Sequence, residues 1–136
     1  MTRNEKFKVA ISLKDTTASE IARRLEIPYP RMNNLLKSKT HTKESLEMLA
    51  KEIGIDLICQ FRRGDTVITA DTFPDMVNKL MTESGTSYAK LGIGSRQNAS
   101  IKAKHERMEE STLQEIARAC GAIYEERFIV DGVELQ

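Results

Sequence analysis

The sequence predicts a mainly α protein with small β-hairpins (an α+β class), built from two tandem copies of one unit. Each copy is expected to hold four short helices followed by a hairpin. Three observations predict this. The halves match one another without gaps at an offset of 67 residues. Within each half the apolar period is helical first and alternating afterwards. Helix start and stop signals bracket the helical stretches.

The self-match pairs Leu13 with Leu80, Ala22 with Ala89, Lys37 with Lys104, Leu46 with Leu113, Ala50 with Ala117, Gly54 with Gly121 and Phe61 with Phe128. Most of these residues are small or apolar, as a shared core requires, and a repeat at a fixed period governs how the whole chain is read. The units span residues 1–69 and 72–136, joined near Thr69-Ala70-Asp71-Thr72.

In the first unit a helix runs through Phe7, Val9, Ala10 and Leu13, matched by Phe73, Met76, Val77 and Leu80 in the second. Thr17-Ala18-Ser19-Glu20 reads as a capping box opening a second helix with Ile21, Ala22 and Leu25 inward. Pro28 and Pro30 suit a turn and the first turn of a third helix, which carries Met32, Leu35 and Leu36. Thr42 caps a fourth helix ending at Gly54, and Ser111-Thr112-Leu113-Gln114 reads as a capping box for its counterpart, which Gly121 stops. After each stop comes a hairpin, with turns at Arg63-Gly64-Asp65 and at the favourable Asp131-Gly132. Because an isolated hairpin is marginal, the two either pair with each other or each pack on their own helices.

Composition excludes several classes. At 136 residues, 40% hydrophobic and 30% charged, the chain is an ordinary globular one, and with 5% aromatics and no Trp its core must come from Leu, Ile, Val, Met and Ala. No apolar run approaches a membrane span of about 20 residues, nor does the first segment read as a secretory signal, so a soluble cytoplasmic protein without membrane contact is expected. Cys59 and Cys120 read as core thiols, and His41 and His105 as surface residues without ligand partners, so neither metal nor cofactor is expected. No nucleophile–base order, phosphate-cradling loop or carboxylate pair stands in a supporting context, and no enzyme is expected.

Net charge is only +1, but it is unevenly distributed. From Arg23 to Lys43 six basic residues face Glu26 alone, and from Lys90 to Arg107 five face Glu106. Residues 1–69 carry 13 basic and 9 acidic groups, and residues 70–136 carry 8 and 11. Basic patches at equivalent places, each around a short polar third helix, suit phosphate contacts for affinity and polar side chains for base reading.

At these positions the chain resembles the Cro/lambda-repressor-like (XRE-type) helix-turn-helix family. Residues Glu20 to Ile27 resemble its second helix and turn, and Met32-Asn33-Asn34-Leu35-Leu36-Lys37 its recognition helix. Ser95-Arg96-Gln97-Asn98 is similar to the start of that helix in small phage-type regulators, and Leu46 to Gly54 and Leu113 to Gly121 resemble the helix that follows. Gly92-Ile93-Gly94 and Tyr29-Pro30 depart from the pattern. The resemblance implies a transcriptional regulator, a repressor of phage or mobile-element type, that binds double-stranded DNA sequence-specifically through two tandem lambda-repressor-like domains acting as a single-chain pseudo-dimer on non-identical half-sites. The residues it nominates are Tyr29, Arg31, Asn33, Asn34, Lys37 and Lys39 in the first copy, and Arg96, Gln97, Asn98, Ser100, Lys102 and Lys104 in the second. The alternative is a protein-binding inhibitor or adaptor, of antirepressor or anti-defence type, using the acidic second half for its partner. Further association into a homodimer stays open.

Overall fold

The computed structural model describes residues 1–91 and 104–136, which form a mixed α+β molecule with helices on one face of a four-stranded antiparallel sheet. Thr2 and Glu5 exchange hydrogen bonds between side chain and amide, a reciprocal cap that opens α1 (Arg3–Leu13). At α2 (Ala18–Arg24) the expected capping box is only half made. The Thr17 hydroxyl accepts from the Glu20 amide, but the Glu20 carboxylate turns outward to Arg23 and Arg24. Then follows α3 (Tyr29–Lys37), with Pro30 in its first turn, where a missing amide costs nothing. Thr42 caps α4 (Lys43–Ile53), and Gly54, at φ +88°, takes the left-handed conformation that ends it.

The hairpin β1 (Asp56–Arg63) and β2 (Thr66–Ile68) turns at Gly64-Asp65. Next come α5 (Phe73–Ser84), a short 3₁₀ helix (Tyr88–Lys90), α6 (Glu110–Ala119), β3 (Ile123–Val130) and β4 (Val133–Glu134). The expected cap at Ser111 is corrected. Met108 is tied into a backbone bridge, the chain enters α6 at once with Glu109 as the cap residue, and Gln114 donates to Glu110 instead of reaching back. Asp131 and Gly132 both have positive φ, 49° and 82°, as a two-residue type I′ hairpin turn needs. Among the described residues no helix is long and apolar enough to cross a membrane.

The two hairpins pair with each other. Strand order is β2-β1-β3-β4, and β1 meets β3 from Asp56 opposite Ile129 to Arg62 opposite Ile123. Moving each partner by the repeat offset of 67 turns the pair Leu57–Phe128 into Phe61–Tyr124, which is also in the ladder. Cys59 faces Glu126, its own equivalent. That register is a local two-fold axis passing between Cys59 and Glu126. His41 and Met108, also 67 apart, exchange backbone hydrogen bonds of 3.3 and 2.9 Å, so they mark a second point on the axis.

Alternation along the strands sends Cys59, Phe61, Tyr124, Glu126, Phe128 and Val130 inward. The outer face stays wet and charged, with Gln60 and Arg62 both donating to Glu125 at 2.9 and 3.0 Å. Helices cover the inner face and cross between halves: Phe7 of α1 sets its ring edge-on against Phe128 of β3, 4.8 Å between centroids. Leu13, matched by the repeat to the buried Leu80, is 58% exposed, and Ile11, two residues earlier, is buried instead.

Candidate nucleic-acid interface

Helix α3 buries Met32 and Leu36 against the core, and its neighbour α2 buries Ile21 and Ala22. Burial of one stripe leaves the opposite one outward at helical spacing. Arg31, Asn34 and Lys37 accordingly lie exposed three residues apart, Tyr29 is 51% exposed in the first turn, and Asn33 is half-buried at the flank. Lys39 is exposed in the loop beyond. The six nominated residues of the first half therefore sit on or beside one short helix.

Less of the basic patch is presented than its composition suggests. Arg23 and Arg24 are ion-paired with Glu20, and Lys43, nearly buried, is paired with Glu47. Among the described residues Arg31, Lys37 and Lys39 make no ion pair. Within the stretch from Arg23 to Lys43 these three are the cations left to an anionic partner. Lys37 and Lys39 also line an open groove of about 520 Å³ whose lining includes Glu109, the cap residue of α6, and Glu110 in its first turn. Burial, followed by the nearby Glu126 charge, holds the Glu110 carboxyl above the usual carboxylate range.

In the second half, Lys104 is exposed with its ammonium 5.3 Å over the Tyr88 ring. Arg96, Gln97, Asn98, Ser100 and Lys102, and the departure at Gly92-Ile93-Gly94, lie outside the described residues. His105 is exposed, as expected.

His41 is not a surface residue. It is 1% exposed and belongs to a buried polar cluster on the local axis. Arg3 forks onto Glu126 through Nε and Nη2, both at 2.7 Å, and its Nη1 donates to the Met108 carbonyl at 2.7 Å and to His41 Nδ1 at 3.2 Å. The Tyr124 hydroxyl donates to Glu126 Oε1 at 2.6 Å. His41 Nε2 lies 2.6 Å from the Leu35 carbonyl, which can only accept, so Nε2 carries the proton and Nδ1 is left to accept from Arg3. Leu35 belongs to the last turn of α3, whose carbonyls lack helical partners. The cluster thus ties the end of α3 to the sheet of the other half. Burial, then the Glu126 charge, pushes the Cys59 thiol up to about 12, so it stays a neutral core group.

Burial lowers the His41 pKa below its ordinary 6.5, and the Arg3 cation lowers it further, against the opposing pull of the Leu35 carbonyl and Glu126. Unfolded His41 therefore binds a proton more readily than folded His41. Its contribution to stability is complete above 6.5 and is lost as pH falls from there to its depressed native value. Urea midpoints should drop between neutral and mildly acidic pH. His41→Gln, which can still donate to Leu35 and accept from Arg3, should flatten that part of the profile. An equal slope in the variant would remove His41 as its source.

No family model, curated protein or solved structure matches this chain.

Proposed function

We propose that the protein is a sequence-specific DNA-binding transcriptional regulator, a single chain holding two helix-turn-helix units that read two non-identical half-sites. The observation that carries this is the exposed stripe Arg31, Asn34 and Lys37 on α3, a short helix whose other side is core and which packs beside α2. A helix presented in this way can enter a major groove. Its arginine and asparagine have the donor patterns that read guanine and adenine edges, and its lysine suits phosphate. The local two-fold supports the pseudo-dimer: half-sites read by such a pair lie about 34–36 Å apart, one helical turn.

The test is duplex binding by the full chain over a salt titration. Each neutralised phosphate adds about 0.9 to the log–log slope. Lys37→Ala is expected to weaken binding to every sequence alike and to lower the slope by about 1. An unchanged slope would take Lys37 off the DNA face.

The acidic groove lining beside Lys37 and Lys39 supports a second reading, a protein-binding inhibitor or adaptor that keeps the same fold. Absence of duplex binding even at low salt would leave that reading alone.

A further inference from the structure

The two-fold relation between the halves has a defined exit on the helical side of the molecule. One point on it is the Cys59–Glu126 pair in the sheet, and the other is the His41–Met108 bridge. Between them lies the Arg3 guanidinium, bonded both to Glu126 and to the Met108 carbonyl. The axis therefore runs from the sheet through this cluster to the crossing of segments 38–41 and 105–108. The exposed stripe on α3 leads to the same place, since Lys37 is its last member and Ser38 follows directly.

At that crossing Arg107, from the second half, lies over the first. Its Nη2 donates to Ser38 Oγ at 3.3 Å and to the Thr40 carbonyl at 3.2 Å, while the residue as a whole stays exposed. Among the described residues no carboxylate pairs with it. Lys37 and Lys39 flank its Ser38 anchor, and Lys104 stands three residues before it. The exposed carboxylate beside it in sequence is Glu106, the equivalent of Lys39 by the repeat offset. Lys37, Lys39, Lys104 and Arg107 thus gather at the crossing against Glu106, with Glu109 and Glu110 farther along the groove that Lys37 and Lys39 line, and Arg107 carries second-half positive charge onto the first half.

Resting on the DNA-binding reading, the geometry points to Arg107 as a phosphate-contacting residue at the centre of the bound site, between the half-sites. A two-fold reader sets its axis on the dyad of its site, so what stands on the axis faces the central minor groove and the sugar-phosphate strands that border it, and the outer end of α3 does not. Arg107 is held in place by two hydrogen bonds before DNA arrives, and a guanidinium so placed still has donors left for phosphate oxygens. Contact there is independent of base identity, so Arg107 would fix the position of the chain on the duplex.

The experiment compares the full-length wild type with Arg107→Ala, Arg107→Lys and, as a control at the outer end of α3, Arg31→Ala. Binding to a duplex recovered by selection from a random pool is followed over a salt titration, by hydroxyl-radical footprinting, and alongside thermal midpoints. Arg107→Ala should keep its midpoint, lower the salt slope by about 1, and lose protection only at the centre of the footprint. Arg107→Lys should keep the slope, and Arg31→Ala should lose protection away from the centre. An unchanged slope and footprint in Arg107→Ala, with wild type still binding, would overturn the assignment and leave the DNA reading intact. A lowered midpoint with protection lost evenly along the site would overturn it too, by showing a structural role. Wild type failing to bind any duplex would overturn the DNA reading itself, and this inference with it.

Discussion

Glu126→Ala is expected to destabilise the protein by about 3–5 kcal/mol, because it leaves the Arg3 charge buried without its counter-ion. Arg3 is 5% exposed and the Glu126 side chain is fully buried, so neither can turn to water in the folded state. Burial alone would lower the Arg3 pKa, and the hydrogen bond and charge of Glu126 more than offset it, so the guanidinium stays charged in the wild type. The variant would also orphan the Tyr124 hydroxyl, whose bond goes to Glu126 Oε1. Urea denaturation checks the size of the loss. The reverse comparison is informative as well: Arg3→Met combined with Glu126→Leu should recover most of it, since apolar groups of similar volume avoid the desolvation of both ions. If Glu126→Ala costs no more than an exposed ion pair, about 0–1 kcal/mol, the cluster is not what holds the halves in register.

This cluster is also where the sequence was least legible. Arg3 and Glu126 are 123 positions apart, and Arg3 and His41 are 38 apart, so no local period joins them. Arg and Glu are ordinarily exposed and His is intermediate, so Glu126 reads as part of an acidic run and His41, without ligand partners in sequence, as a surface residue. One signal was available: strand alternation through Tyr124, Glu126, Phe128 and Val130 places Glu126 on the inward face with its apolar neighbours. The Thr2–Glu5 cap was equally readable from its spacing.

Local features were legible because they depend on a few adjacent residues. Pro30, Thr42, Gly54 and the Asp131-Gly132 turn sit where chain chemistry puts them, as do the strands that follow each glycine stop. Pairing of the two hairpins was one of two arrangements open from sequence, and packing settles it: β1 gains a neighbour on its other edge and both strands share one covered face. On the candidate interface, sequence identified a basic stretch but not which cations remain free. Arg23, Arg24 and Lys43 are taken up by Glu20 and Glu47 one helical turn away. That competition follows from i,i+3 and i,i+4 spacing.

Phe128→Ala should cost about 3–5 kcal/mol, the range for removing a large buried aromatic side chain. Phe128 has no exposed surface and meets the equally buried Phe7 at 4.8 Å with rings 83° apart, an edge-to-face contact. Phe7 stands on α1 of the first half and Phe128 on β3 of the second, so the loss falls on the packing between halves as well as within the core. A double-mutant cycle separates the two contributions. Phe7→Ala and Phe128→Ala together should be less destabilising than the sum of the single changes, by about 0.5–1.5 kcal/mol for the ring pair. Strict additivity would mean that the rings contribute only as separate fillers of one core. A coupling in that range would mean that α1 recognises the partner half by ring geometry. The first 69 residues alone would then lack the surface on which their first helix rests.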